Sequence, residues 1–223
     1  MDYITANWPA PKNIHAYTTT RTGFGDRTDK LKLQQLLSLP QDPIWLTQVH
    51  GTEVVVASPE NTAVAADASY TNDRNQPCVI LTADCLPVLI CNKQGTHIAA
   101  IHAGWRGLAH GIIERTIQTL NLPSSDLLVW LGPAIGPSKF EVGADVFTEF
   151  TAHSSEAEKA FVSMPNGKWL ANLYLLARQR LLACGVTQIS GGDYCTYSQD
   201  EMFFSYRRDK GETGRMASVI WIS

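Results

Sequence analysis

The chain predicts a mixed α/β (α+β) fold, one domain over residues 1–223 with a mixed β-sheet and helices around it, on three observations. First, of its 223 residues 44% are hydrophobic and 17% charged, which supplies apolar surface for one full core and sets the chain apart from disordered sequences. Second, several short runs, among them residues 78–81, 88–91 and 127–131, are apolar at consecutive positions, as strands covered on both faces are. Third, these runs and the helical patterns between them follow no regular βαβ rhythm, so a doubly wound sheet is not expected.

From the N-terminus, the proline-punctuated residues 8–14 favour extended backbone, and residues 16–20 follow as a threonine-rich strand. Arg21 stands at its end before Gly23 and Gly25, where a guanidinium suits an anion; a solvated surface arginine is the competing reading. Residues 31–39 form a short helix closed by Pro40. A strand over 44–49 runs into His50 and Gly51 and resumes at 54–57, which puts His50 at a hairpin tip or sharp bend. Asp67 opens a loop, ADASYTN, that carries one acid toward the strand at 77–83, and Asp84 and Cys85 close that strand. Two further runs, 88–91 and 97–101, flank the turn NKQG, and the second delivers His102.

Residues 103–107 read as a strand-to-helix turn whose backbone N–H groups suit an anion, with a structural tight turn as the competing reading, and 107–120 as a helix, with Leu108, Ile112, Ile113, Ile117 and Leu120 near helical spacing. A strand at 127–131 enters the stiff loop GPAIGP. Helical patterns follow at 144–153 and 155–162. The strongest, at 172–184, is stopped by Gly185. Strands at 188–190 and 216–222 end the chain on either side of FFSYRRDKGETGR, a polar loop that holds Arg207.

A net charge of −3 without basic runs excludes a general affinity for nucleic acid or anionic membranes, so the partner is a small molecule. Five scattered cysteines make no disulfide framework, the N-terminus carries no secretory pattern and no apolar stretch reaches transmembrane length, so a reduced, cytoplasmic protein is expected. No oligomeric state is read from the sequence. GxGxxG, Walker and GxSxG motifs are absent. What stands out is His50, Cys85 and His102, each at a strand end or bend. Two imidazoles and a thiolate suit zinc, or copper, and three protein ligands leave one position open for chemistry. The competing reading is a buried structural cysteine with two incidental histidines, since no CxxC-type spacing is present. Six histidines without an HxH pair cannot build a three-copper cluster.

The segments WPAPKNIHAYTTTRTG, WLTQVHG, ADASYT, LTADCLPVLI, AAIHAGWRGL, LGPAIGPSKFEVG and FFSYRRDKGETGR, in that order, resemble the YfiH and laccase-domain family of bacterial purine nucleoside phosphorylases, formerly labelled polyphenol oxidases. The resemblance implies a YfiH-like single domain, phosphorolysis of adenosine, inosine and 5′-methylthioadenosine, deamination of adenosine, and zinc, with copper as the other candidate. The family's QVHG histidine falls on His50, its TADC cysteine on Cys85 and its HAGWRG histidine on His102, which makes these three both the metal ligands and the catalytic residues. Its TTR arginine falls on Arg21. Two departures stand out: GFGD follows in place of the usual GGVS, with much of the next loop missing, and Asn172 replaces an acid found in many members.

Phosphorolysis needs phosphate near C1′ and help for the departing base. Arg21 and Arg207 suit the first task and a histidine the second. Three alternatives remain: a cysteine hydrolase with Cys85 as nucleophile and His102 or His50 as base, which the resemblance to the family implies would be an amidase editing peptidoglycan precursors such as UDP-MurNAc-amino acids; single-copper polyphenol oxidation; and a non-catalytic nucleoside- or metal-binding module.

Overall fold

A computed structural model describes residues 1–26 and 28–223. The first sheet is antiparallel, in the order β1 (Tyr3–Thr5), β2 (Ile14–Thr19), β13 (Met216–Ile222) and β5 (Cys78–Thr82). The second has six strands, in the order β12 (Gln188–Gly191), β8 (Leu127–Leu131), β6 (Leu86–Asn92), β7 (Ile98–Ala103), β4 (Ala68–Thr71) and β3 (Val54–Val56). Its centre is antiparallel, while β12 with β8 and β3 with β4 are parallel, so the sheet is mixed, as expected. A third small sheet joins β10 (Phe161–Ser163), β11 (Trp169–Ala171) and β9 (Glu141–Val142).

The side-chain period of two explains the layering. In β6, Leu86, Val88 and Ile90 pack into a core with α2 (Trp105–Ala109), α3 (Ile112–Leu120), α4 (Ala144–His153) and α5 (Leu173–Ala183). Leu89 and Cys91, on the opposite face, meet Cys78, Ile80 and Ile220 of the first sheet. The far face of that sheet, Val79, Val219 and Trp221, is covered by Phe24 and by Leu33 and Leu37 of α1 (Lys30–Leu37). Helices, sheet, sheet and helix therefore stack, and β6, β7 and β13 are buried at every position. That double cover is why they read as continuous apolar runs.

Several expectations need correction. Residues 44–49 form no strand; they make only single bridges, Ile44 to Cys78 and Thr47 to Ala65, because the Gln48 side chain bonds both backbone groups of Leu81 at 2.8 Å in place of a ladder. The helix expected over 107–120 is two helices, since Gly111 takes φ 93° after the His110 cap and turns the axis. Residues 155–162 form a 3-10 helix, Ser155–Ala160, followed by β10. The loop expected at ADASYTN contains β4.

Candidate active site

Asp67, which immediately precedes β4, has no exposed surface. Its carboxylate accepts the backbone N–H groups of Val49, His50 and Gly51 at 3.2, 3.0 and 2.7 Å. It also accepts from His102 Nδ1 at 2.7 Å, while the His102 backbone N–H donates to the Asp67 carbonyl at 2.7 Å. One acid thus fixes both histidines: it gathers the chain around His50, whose φ is 60°, and sets the His102 ring through its Nδ1. The sharp bend expected at His50 is present, though no hairpin pairs there.

Cys85 is positioned from the other side. Asp84 takes φ 86°, a left-handed conformation that aspartate tolerates better than most residues. Its carboxylate accepts from Thr196 Oγ1 at 2.6 Å, Ser205 Oγ at 3.0 Å and the Arg207 backbone N–H at 2.7 Å. Those bonds hold the bend that ends β5 and starts β6, and they bring Cys85 Sγ within 3.8 Å of His50 Nε2. The His50 and His102 rings meet edge to face, centroids 4.8 Å apart. Gly104 closes the cluster: a Cβ there would stand 2.8 Å from His50 Cδ2 and 3.2 Å from Cys85 Sγ. The turn at 103–107 therefore packs against the three side chains.

The ligand atoms of His50, Cys85 and His102 all lie within 4.8 Å of one another. Burial works against a charged Cys85 thiol, but the His102 charge and hydrogen bonds from His102 and His50 bring it down to about 6. Burial likewise opposes a charged His102, yet the Cys85 thiolate and Asp67 raise it to about 9. A thiolate beside two imidazoles, one of them backed by a carboxylate, is the donor set of a borderline-soft divalent ion. The group can hold one metal ion. Among the described residues it is the one such set of three, so a multi-copper cluster has no counterpart here.

These residues line a cleft of about 760 Å³, within the usual range for small-molecule sites. Leu81, Ile135, Phe140, Trp105 and Tyr206 give it apolar and aromatic walls, and Arg106, Arg207 and Arg215 give it positive charge. Among the described residues no ion pair engages these three arginines. Arg207 donates to the Glu141 carbonyl at 2.8 Å and lies over the Phe140 ring. Arg21 is not brought to the cleft: its backbone bonds Met202, its guanidinium donates to the Asp200 carbonyl, and the group stacks over Phe204. Arg106 stands in the turn at 103–107 and Arg215 in the loop that also holds Arg207, yet nothing in the sequence alone marks either side chain as a ligand. No helix among the described residues is long and apolar enough to cross a membrane.

Comparison with known proteins places this geometry among relatives. The family model described as multi-copper polyphenol oxidoreductase laccase matches residues 27–223. A Haemophilus influenzae protein named purine nucleoside phosphorylase is 46% identical over 99% of each chain. An Escherichia coli protein named purine nucleoside phosphorylase YfiH is 47% identical over 98% of each. The crystal structure of a Neisseria meningitidis protein superposes with a TM-score of 0.94 at 42% identity, covering all of both chains.

Proposed function

The chain belongs to the family described as multi-copper polyphenol oxidoreductase laccase, and from that premise we propose that it is a cytoplasmic purine nucleoside phosphorylase. Its substrates are inosine, adenosine and 5′-methylthioadenosine with inorganic phosphate, and it also deaminates adenosine. The observation that carries the reading is one cleft lined both by His50, Cys85 and His102 and by Arg106, Arg207 and Arg215, which no ion pair engages among the described residues. Five free cysteines suit a reducing compartment.

Cleavage of the C1′–N9 bond passes through an oxocarbenium-like state, so rate depends on holding phosphate against C1′ while the purine leaves. Arg207, with Arg106 and Arg215, binds and orients the phosphate through charge-assisted hydrogen bonds. Phe140, Trp105 and Tyr206 offer ring faces to the flat base. Asp67 keeps the His102 imidazole in one orientation. A zinc ion held by His50, Cys85 and His102, or copper in its place, would supply Lewis acidity.

A second reading is favoured by the depressed Cys85 thiol beside a His102–Asp67 pair, the order of groups in a cysteine hydrolase. Such an enzyme would cut an amide in a peptidoglycan precursor. The test is to incubate the purified protein with inosine, with and without phosphate, and to identify products by mass. Hypoxanthine and ribose 1-phosphate, formed only with phosphate, are expected. Hypoxanthine release without phosphate would mean a nucleoside hydrolase, and no release together with a covalent adduct on Cys85 from the precursor would mean an amidase.

A further inference from the structure

Residues 192–215, between β12 and β13, contain no helix or strand, yet Tyr206, Arg207 and Arg215 of this stretch line the cleft. A stretch this long without a ladder needs other fastening, and irregular segments of such length in compact folds are mostly functional. Arg208 ties the stretch to itself: its guanidinium donates to the carbonyls of Thr196 at 2.8 Å, Tyr197 at 3.2 Å and Phe203 at 2.9 Å. Asp84 ties it to the bend at Cys85. Thr196 and Ser205, whose hydroxyls donate to the Asp84 carboxylate, have no exposed surface, and Asp84 itself is buried. The Asp84 carbonyl also accepts the Ile135 N–H at 3.0 Å, which fixes a second piece of the cleft wall.

Arg207 is anchored at both ends. Its guanidinium donates to the Glu141 carbonyl, in the small third sheet, and its backbone N–H donates to Asp84 Oδ2. The second anchor sits one peptide bond from Cys85, so it sets where Arg207 stands relative to the group formed by His50, Cys85 and His102. The residue type at 84 fits this task. Its φ of 86° suits glycine, asparagine or aspartate. Of these, aspartate alone has a side chain that accepts three bonds while offering no donor. Without it, two buried hydroxyls and the Arg207 N–H would lose their acceptor.

We infer, on the phosphorylase reading, that Asp84 is a positioning residue for phosphate: through the Arg207 backbone it holds the phosphate-binding guanidinium in register with the metal-ligand group. Asp84 acts through Arg207 and is assigned no contact with phosphate of its own.

The experiment is calorimetric titration with inorganic phosphate, alongside initial rates over a phosphate series with inosine. Asp84→Asn tolerates the same left-handed backbone but turns an N–H group toward donors. It should weaken phosphate about 10–100-fold in both Kd and KM, the scale of a binding group moved out of place, with the inosine KM changed far less. Combined with Arg207→Ala it should weaken phosphate no further than Arg207→Ala alone, because both changes remove one function. Asn172→Ala, which lowers stability away from the cleft, should keep the wild-type phosphate KM and so separates lost stability from lost positioning. If Asp84→Asn does not fold, Ser205→Ala takes its place, since it removes a donor to the same Oδ2. Its weakening of phosphate should vanish in the Arg207→Ala background. Unchanged phosphate affinity, effects that add in the double variant, or phosphate and inosine weakened alike would overturn the assignment. Wild type that binds phosphate but releases no hypoxanthine would instead sink the phosphorylase reading, and the phosphate titrations would still decide the role of Asp84.

Discussion

At the scale of single residues, Asp67 links the two histidines. Burial favours its neutral form, but the His102 contact and the backbone N–H groups of Gly51 and Val49 outweigh this and hold its carboxyl below the ordinary value. A depressed folded pKa contributes stability above the unfolded value of about 3.9 and loses it as pH falls through the folded one. Asp67→Asn places N–H donors where N–H groups already point, so a loss of about 2–3 kcal/mol is expected from charged hydrogen bonds left unmade. Zinc affinity should fall about 10–100-fold, as when the partner behind a metal-binding histidine is removed. Acid unfolding curves followed by circular dichroism should be flatter for the variant below about pH 4 than for wild type. A variant with unchanged zinc affinity would mean that Asp67 does not orient His102. The three cleft residues were legible because each ends an apolar run or sits at a bend. Asp67 reads in the sequence only as an acid in a loop, because its partners lie 16, 17, 18 and 35 positions away and nothing local marks them.

At the scale of elements, local pattern succeeded where cover and period agree. The strand at Met216–Ile222 and the helix at Ala144–His153 stand where the sequence puts them. It failed where one residue overrides the period, as Gly111 does between α2 and α3, or where a side chain replaces a ladder, as Gln48 does beside Leu81. Asn172 shows the same dependence on local chemistry. It is the N-cap of α5, and its Oδ1 accepts the Leu175 N–H at 3.0 Å, so its role is to start the helix. Asn172→Ala should cost about 1 kcal/mol and lower the Tm by a few degrees with kcat unchanged, whereas Asn172→Asp should keep the stability, because aspartate caps as well and suits the helix dipole. Thermal unfolding beside a rate assay decides it. A fall in kcat at full stability in the Ala variant would instead tie this position to the cleft.

At the scale of the whole molecule, the cleft gathers groups that the chain order keeps apart. Strand β5 leaves its sequence neighbours β6 and β7 to pair with the C-terminal strand β13, and this choice of partner is invisible in a run of apolar residues. The same long-range closure decides which arginines line the cleft. Arg106 comes from α2, Arg207 from the segment held by Asp84, and Arg215 from just before β13, whereas Arg21, at the end of β2, turns toward Asp200 and Phe204. A glycine-flanked strand end describes the surroundings of Arg21 but not the side of the sheet it reaches. Arg207→Ala should therefore raise the KM for phosphate about 10–100-fold, the scale of one charge-assisted hydrogen bond of about 1.5–3 kcal/mol, with the nucleoside KM changed far less. Arg207→Lys should recover part of the loss by keeping the charge without the paired donors. Arg21→Ala should leave the phosphate KM within about twofold, as expected for a surface position. Initial rates over a phosphate series for the three variants are the measurement. An Arg21→Ala effect equal to that of Arg207→Ala would place the phosphate outside this cleft.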